Sequence, residues 1–334
     1  APGGARAPAA AAVSAPTRRP LSMEERLSKG KLFFLFMLQD SLPHADVWKA
    51  FFAGAPKGSF KAFAHCTKQD ICRKLPAFSQ LGIELVPTIP SKWCVDLVSP
   101  SWQLVRAAIK SEGTDGEGPR KFVLISDTTL PIQTMSRIRQ VLLKADHSDL
   151  CISPQKEWAS MRIFGVTYSI VKHHQWAVLN LDDAFAFVYG WEKLSSYSQH
   201  AKSGNVELSP GQYMWDVPRM GANGLANFSE VVARSLIPAP GRCPDEEVLT
   251  SFIFGLHEQG KEDIWKSILA RGHCRTYVNW ACKNPPEVFS KITDKLRELS
   301  QDNRDSAYLF ARKFKKDAPL KDLKTYLSKA NARL

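Results

Sequence analysis

No uninterrupted apolar run in this chain approaches 18 residues, which excludes a hydrophobic membrane-spanning helix from the sequence as given. No two of its seven cysteines stand at C-x-x-C spacing, so a paired zinc knuckle is excluded. Neither a P-loop nor a G-x-G-x-x-G motif occurs, and no Ser-His-Asp arrangement is visible. The glycine-rich stretch at 113–118 also carries acids, which would repel phosphate, and reads as a solvent loop. Internal repeats are absent.

What is present is ordinary in bulk and basic in charge. The 334 residues are 44% apolar and 23% charged, enough for one large or two small domains with a sizeable core. Lys and Arg number 45 against 33 Asp and Glu, a net charge of +12 that suits anionic ligands: nucleic acid, anionic lipid or sugar nucleotides. Seven cysteines (Cys66, Cys72, Cys94, Cys151, Cys243, Cys274, Cys282) allow up to three disulfides and one thiol in an oxidising compartment, or buried reduced thiols in a cytosolic one. The sequon Asn227-Phe228-Ser229 leans toward the secretory path.

Residues 1–30 read as a stem or linker. The first 20 are too poor in bulky apolar side chains to offset their ordering entropy, and 23–30 form a short helix or turn leading in. The apolar run 31–38 suits a strand buried on both faces. Helical spacing follows at 45–52, strands at 60–65 and 83–87, a helix at 102–111 and a strong strand at 121–127. That alternation predicts an α/β fold with a mostly parallel central sheet. A further apolar segment covers 176–179, a helix 182–194, and a Ser, Gly, Asn and Pro-rich surface loop 195–224. From 315 to 334 a basic amphipathic helix shows Leu320, Leu323 and Leu327 as its apolar edge and a solvated lysine face.

Two constellations carry chemistry. Asp245 and Glu246 follow Pro244 at the start of an expected helix, where the dipole favours negative charge. A carboxylate there is either a helix cap or a general base able to take a hydroxyl proton. Arg312 and Lys313 stand between Phe310 and Phe314, either as ordinary alternation on a half-exposed strand or as anchored cations able to clamp a diphosphate. The acidic pairs Asp182-Asp183 and Glu246-Glu247 are adjacent, not spaced Asp-x-Asp as in many metal-dependent nucleotide-sugar transferases, and no metal site is expected. His173-His174 reads as structural. Trp280 suits either a core position or stacking on a pyranose face. A proton acceptor with fixed cations for a departing phosphate is the minimum equipment for transferring a sugar from a nucleotide.

Eight short blocks in order carry a resemblance: Leu42-Pro43 with Trp48 and Phe51-Phe52, Phe63-Ala64-His65, Ile89-Pro90-Ser91-Lys92, FVLISDTTLP at 122–131, Gln175-Trp176, Pro244-Asp245-Glu246, 276–280 and 309–314. The chain resembles the core-2/I-branching β-1,6-N-acetylglucosaminyltransferase family, in particular its plant and algal branch, from about 32 to 320. The resemblance implies a single GT-A-like, Rossmann-type domain over 31–320, with 321–334 a basic terminal helix. It also implies inverting chemistry and no metal or other cofactor beyond a UDP-sugar donor. Glu246 is then the base; Lys313, Arg312, His65 and Asp127 serve the donor; Trp280 and Asp245 serve the acceptor. The acceptor would be a glycan or glycoprotein, with no nucleic-acid partner. Such an enzyme would sit on the lumenal side of the Golgi or another secretory-pathway membrane, held through an anchor preceding Ala1. Three departures stand out: Thr67 where the family often has Asp, Cys94 where it has Gly, and Cys282 in place of an acceptor-side aromatic. They leave the sugar donated (N-acetylglucosamine, xylose or glucuronic acid) open. The alternative is a non-catalytic basic protein that binds nucleic acid or acidic glycan on a retired transferase fold.

Overall fold

The structure, a computed structural model, describes residues 20–94, 96–112, 117–163, 166–202, 243–254, 257–258, 273–280 and 286–331. The stem residues 1–19, the sequon at Asn227, Cys282 and the expected loop beyond 202 lie outside them.

Five strands build the central sheet: β1 (Lys31–Leu38), β2 (Phe60–Cys66), β3 (Ile83–Leu85), β4 (Arg120–Ser126) and, later in the chain, Val178–Asn180. Two other short sheets take β5 (Leu130–Pro131), β6 (Ala159–Ile163) and β7 (Val166–Ile170). With Val178–Asn180 as β8, the chain continues to β9 (His257–Glu258), β10 (Thr276–Val278) and β11 (Phe310–Arg312). The central order is β3-β2-β1-β4-β8, parallel except for the antiparallel pairing of β4 with β8. This is a mixed α/β fold with a mostly parallel sheet, as the strand–helix alternation predicts.

β1 explains why the sheet sits in the middle. Successive side chains on a strand point to opposite faces. Leu32, Phe34, Phe36 and Leu38 therefore enter one core with Trp48, Phe51 and Phe52 of the helix Ala45–Phe52. Phe33 and Leu35 enter the other, with Val105 of the helix Val98–Lys110 and Phe187 of the helix Leu181–Lys202. Each residue from Leu32 to Phe36 is fully buried, which is why this run contains no polar residue.

One element runs past its expected end. The helix Leu181–Lys202 continues past 194 into residues expected to be loop. At the other end, Met23–Lys29 is a helix, as expected for 23–30: Ser22 and Glu25 cap each other's backbone and Arg26 bonds the Leu143 carbonyl. The terminal helix begins at Lys321, at the boundary expected for 321–334 and later than the start at 315 that the amphipathic pattern suggests. Leu320, Leu323 and Leu327 are buried in the first core, so this helix belongs to the domain.

Candidate active site

In a parallel α/β sheet, ligands bind beyond the carboxyl ends of the strands, at the point where strand order reverses. Here β2 and β4 flank β1 on opposite sides, so the crevice opens beyond Leu38 and Ser126. Asp40 follows β1, Asp127 follows β4, and His65 is the penultimate residue of β2. The His65 ring is 1% exposed, and its Nε2 lies 3.0 Å from the Ile89 backbone nitrogen, which donates to it. Burial holds this imidazole below its ordinary range, so it stays neutral and fixes the loop that forms one wall. Thr67 pairs with Ser91 across the same loop, Oγ1 to Oγ at 3.2 Å.

The carboxylate pair sits in a 3-10 turn, Pro244–Glu246, that precedes the helix Val248–Phe254 and does not belong to its first turn as expected. Three attachments hold this turn. Cys243 is joined to Cys94. The Glu246 carbonyl accepts the His173 backbone N–H at 2.8 Å. The Lys172 ammonium stands 3.6 Å from the Glu246 carboxylate and 3.7 Å from Glu157. The two acids then diverge. Glu246 is partly exposed, whereas Asp245 is 8% exposed with Oδ1 unpartnered. Burial pushes the Asp245 carboxyl up to about 7 against a hydrogen bond from its own backbone, and Glu246, Asp96 and Glu247 add to the rise.

The cations arrive from the other side. Phe310 and Phe314 are each 1% exposed, so the segment between them is pinned at both ends. The Arg312 guanidinium lies over the Trp176 ring, 4.2 Å from its centroid, and its Nε is buried without a partner. Burial draws Arg312 down to about 10, and the charges of Asp127 and Glu246 both oppose that pull. It therefore remains cationic at neutral pH. Lys313 is likewise lowered by burial and by Arg312, with Asp127 opposing.

The segment 172–176 ties the two halves together. Lys172 pairs with Glu246, and four residues later Trp176 supports Arg312. Four residues of extended chain span at most about 14 Å. Between them, His174 meets the Trp280 ring edge-on at 5.7 Å, and burial followed by Lys172 holds its imidazole low. Trp280, at the exit of β10, is 45% exposed and presents an open aromatic face. Among the described residues, the buried nitrogens of His174 (Nδ1) and Gln175 (Nε2) in the same strip find no partner.

Of the seven residues singled out from sequence, Glu246, Arg312, Lys313, Asp127 and Trp280 gather around this strip and the adjacent crevice. His65 lies under the crevice wall, and Asp245 is buried apart from the strip. Sequence reasoning missed Lys172 and His174. The pair His173-His174 read as structural, and His173 is: it is fully buried, its Nδ1 bonds the His174 carbonyl, and burial lowers it to about 4. His174 faces the site, because adjacent residues point in different directions; that signal was in the sequence.

Among the described residues no three His, Cys, Asp or Glu side chains group to hold a metal ion, and no helix is long and apolar enough to cross a membrane. A cavity of about 350 Å³ lies at the amino ends of β1 and β2, lined by Gly30, Ser59 and Arg139 among others. It is at the opposite end of the strands from these residues. No protein-family model and no curated protein matches the chain.

Proposed function

We propose that this protein is an inverting, metal-independent glycosyltransferase of GT-A-like fold. It transfers a sugar from a UDP-sugar to a hydroxyl group of a glycan or glycoprotein. One observation carries the reading: the strip 172–176 holds both groups, Lys172 standing 3.6 Å from the Glu246 carboxylate and Trp176 lying 4.2 Å under the Arg312 guanidinium.

In this reading the acceptor sugar stacks on Trp280 and brings its hydroxyl to Glu246, which removes the proton. The oxygen attacks the anomeric carbon from the face opposite the diphosphate, the carbon–oxygen bond to phosphate breaks, and configuration inverts. The departing UDP takes the bonding electron pair, and Arg312 and Lys313 neutralise it. Cations that are already in place need no reorganisation as that charge develops. Trp176 holds the guanidinium plane so that its edge stays available for bidentate contact with phosphate oxygens. Three disulfides, Cys66–Cys72, Cys94–Cys243 and Cys151–Cys274, support placing the enzyme in the oxidising secretory path.

A panel of nucleotide sugars tested by thermal shift, followed by UDP-release assays in excess EDTA, tests the reading. A UDP-sugar is expected to raise Tm, since a ligand that binds only the folded state stabilises it, and UDP release is expected to survive the chelator. Steeply salt-dependent binding to polyanions with no response to any nucleotide sugar would instead favour a basic binding protein.

A further inference from the structure

We propose that Lys316 is a third phosphate-binding cation, held over the β1/β4 crevice by two carboxylates. This rests on the donor-site reading above and extends it to a residue outside the pinned segment 310–314.

The backbone places it. The Phe314 N–H bonds the Thr128 carbonyl after β4 at 2.9 Å, and the His44 ring bonds the Lys315 carbonyl after β1 at 2.8 Å. The chain from 313 to 316 is thereby laid across the mouth of the crevice. The Lys316 ammonium then stands 3.8 Å from Asp40, 3.7 Å from Asp127 and 3.4 Å from the Ser41 hydroxyl. These distances exceed the roughly 2.7–2.9 Å of a closed charge-assisted hydrogen bond. The ammonium is centred between its neighbours without closing on either carboxylate, so its N–H groups can turn to a phosphate oxygen.

Charge balance points the same way. Asp40 already receives a hydrogen bond from Lys68 at 3.0 Å, which with the Ser41 hydroxyl and the charges of Lys68 and Lys316 holds it below its ordinary range. Asp127 faces Arg312 and Lys313 as well as Lys316. Counted with Glu246, whose charge also reaches Arg312, the cations Lys68, Arg312, Lys313 and Lys316 outnumber the carboxylates Asp40, Asp127 and Glu246 by one, and without Lys316 no surplus remains for a phosphate. A lysine serving only to pair with one surface acid would not need a position shared by the two strand ends that define the crevice.

The experiment compares UDP and uridine binding by isothermal titration calorimetry in wild type, Lys316→Met, Lys316→Arg and Lys315→Met. Lys315 is exposed and paired with Asp317 at 3.3 Å, so its variant removes the same charge without touching the crevice. Lys316→Met is expected to weaken UDP about tenfold, the equivalent of about 1.4 kcal/mol, and to leave uridine unaffected. Lys316→Arg restores most of the UDP affinity, and Lys315→Met keeps it. Equal losses in the Lys315 and Lys316 variants, or a loss that extends to uridine, would reduce Lys316 to bulk charge or to structure and overturn the proposal. If UDP binds Lys316→Met as it binds wild type, this inference fails and the donor site stands. If wild type binds no UDP, both fail together.

Discussion

Asp245 and Glu246 are neighbours with opposite fates, and burial is what separates them. The folded Asp245 carboxyl near 7 lies above the roughly 3.9 of an unfolded aspartate. Between about pH 4 and 7 the folded chain therefore holds a proton that the unfolded chain has released, and stability from this group falls as pH rises through that window. Asp245→Asn removes the effect. It is expected to raise stability by on the order of 3 kcal/mol at pH 8 and to gain little at pH 4.5. Thermal melts at the two pH values check this, and because it is a difference from wild type the opposite-signed contribution of buried His173 cancels. An equal gain at both would contradict it. The residues alone placed a carboxylate role only within the pair and the resemblance singled out Glu246, whereas the burial that sets Asp245 apart is visible only in three dimensions. Arg312 shows the reverse case. Its flanking phenylalanines announced an anchored cation, while its ring partner Trp176 appeared only in three dimensions.

At the level of elements, the loops bearing the site are stapled, not free. Cys151–Cys274 joins the loop after Asp149 to the approach to β10, and next to it Arg275 pairs with Asp149 at 2.8 Å in a nearly dry environment. Breaking a buried ion pair on one side strands the other charge, so Arg275→Ala is expected to cost about 3–5 kcal/mol in urea denaturation. A value near that of a surface pair would show that the pair is solvated. A second close approach fixes the helix that follows Glu246. At Gly190 an added Cβ would meet the Phe252 ring at 2.2 Å, so the helices Leu181–Lys202 and Val248–Phe254 cross with no room for a methyl group. Gly190→Ala is expected to lose about 1–3 kcal/mol despite the better helix propensity of alanine, and an unchanged or raised Tm would refute that packing. The long apolar strands were legible because each must fill two cores. The antiparallel pair β6 and β7 was not, since Ala159–Ile163 and Val166–Ile170 mix polar and apolar residues over only five positions each.

Across the whole molecule, one organising fact governs where the proposed site lies: a sheet filled on both faces leaves its carboxyl edge as the place where polar groups from distant segments can converge. The acid near residue 246, the cations near 312 and the acids at 40 and 127 are far apart in sequence. Their order was readable, and their meeting required the strand order β3-β2-β1-β4-β8. The net charge of +12 fits such an edge but did not locate it, because most surface lysines serve solvation. The most direct measurement of the central claim separates chemistry from binding at Glu246. In a UDP-release assay with the preferred donor, Glu246→Gln is expected to lower turnover about 10²- to 10⁴-fold while UDP affinity measured in parallel stays at the wild-type value. Near-normal turnover in that variant, or loss of UDP binding together with turnover, would contradict the account.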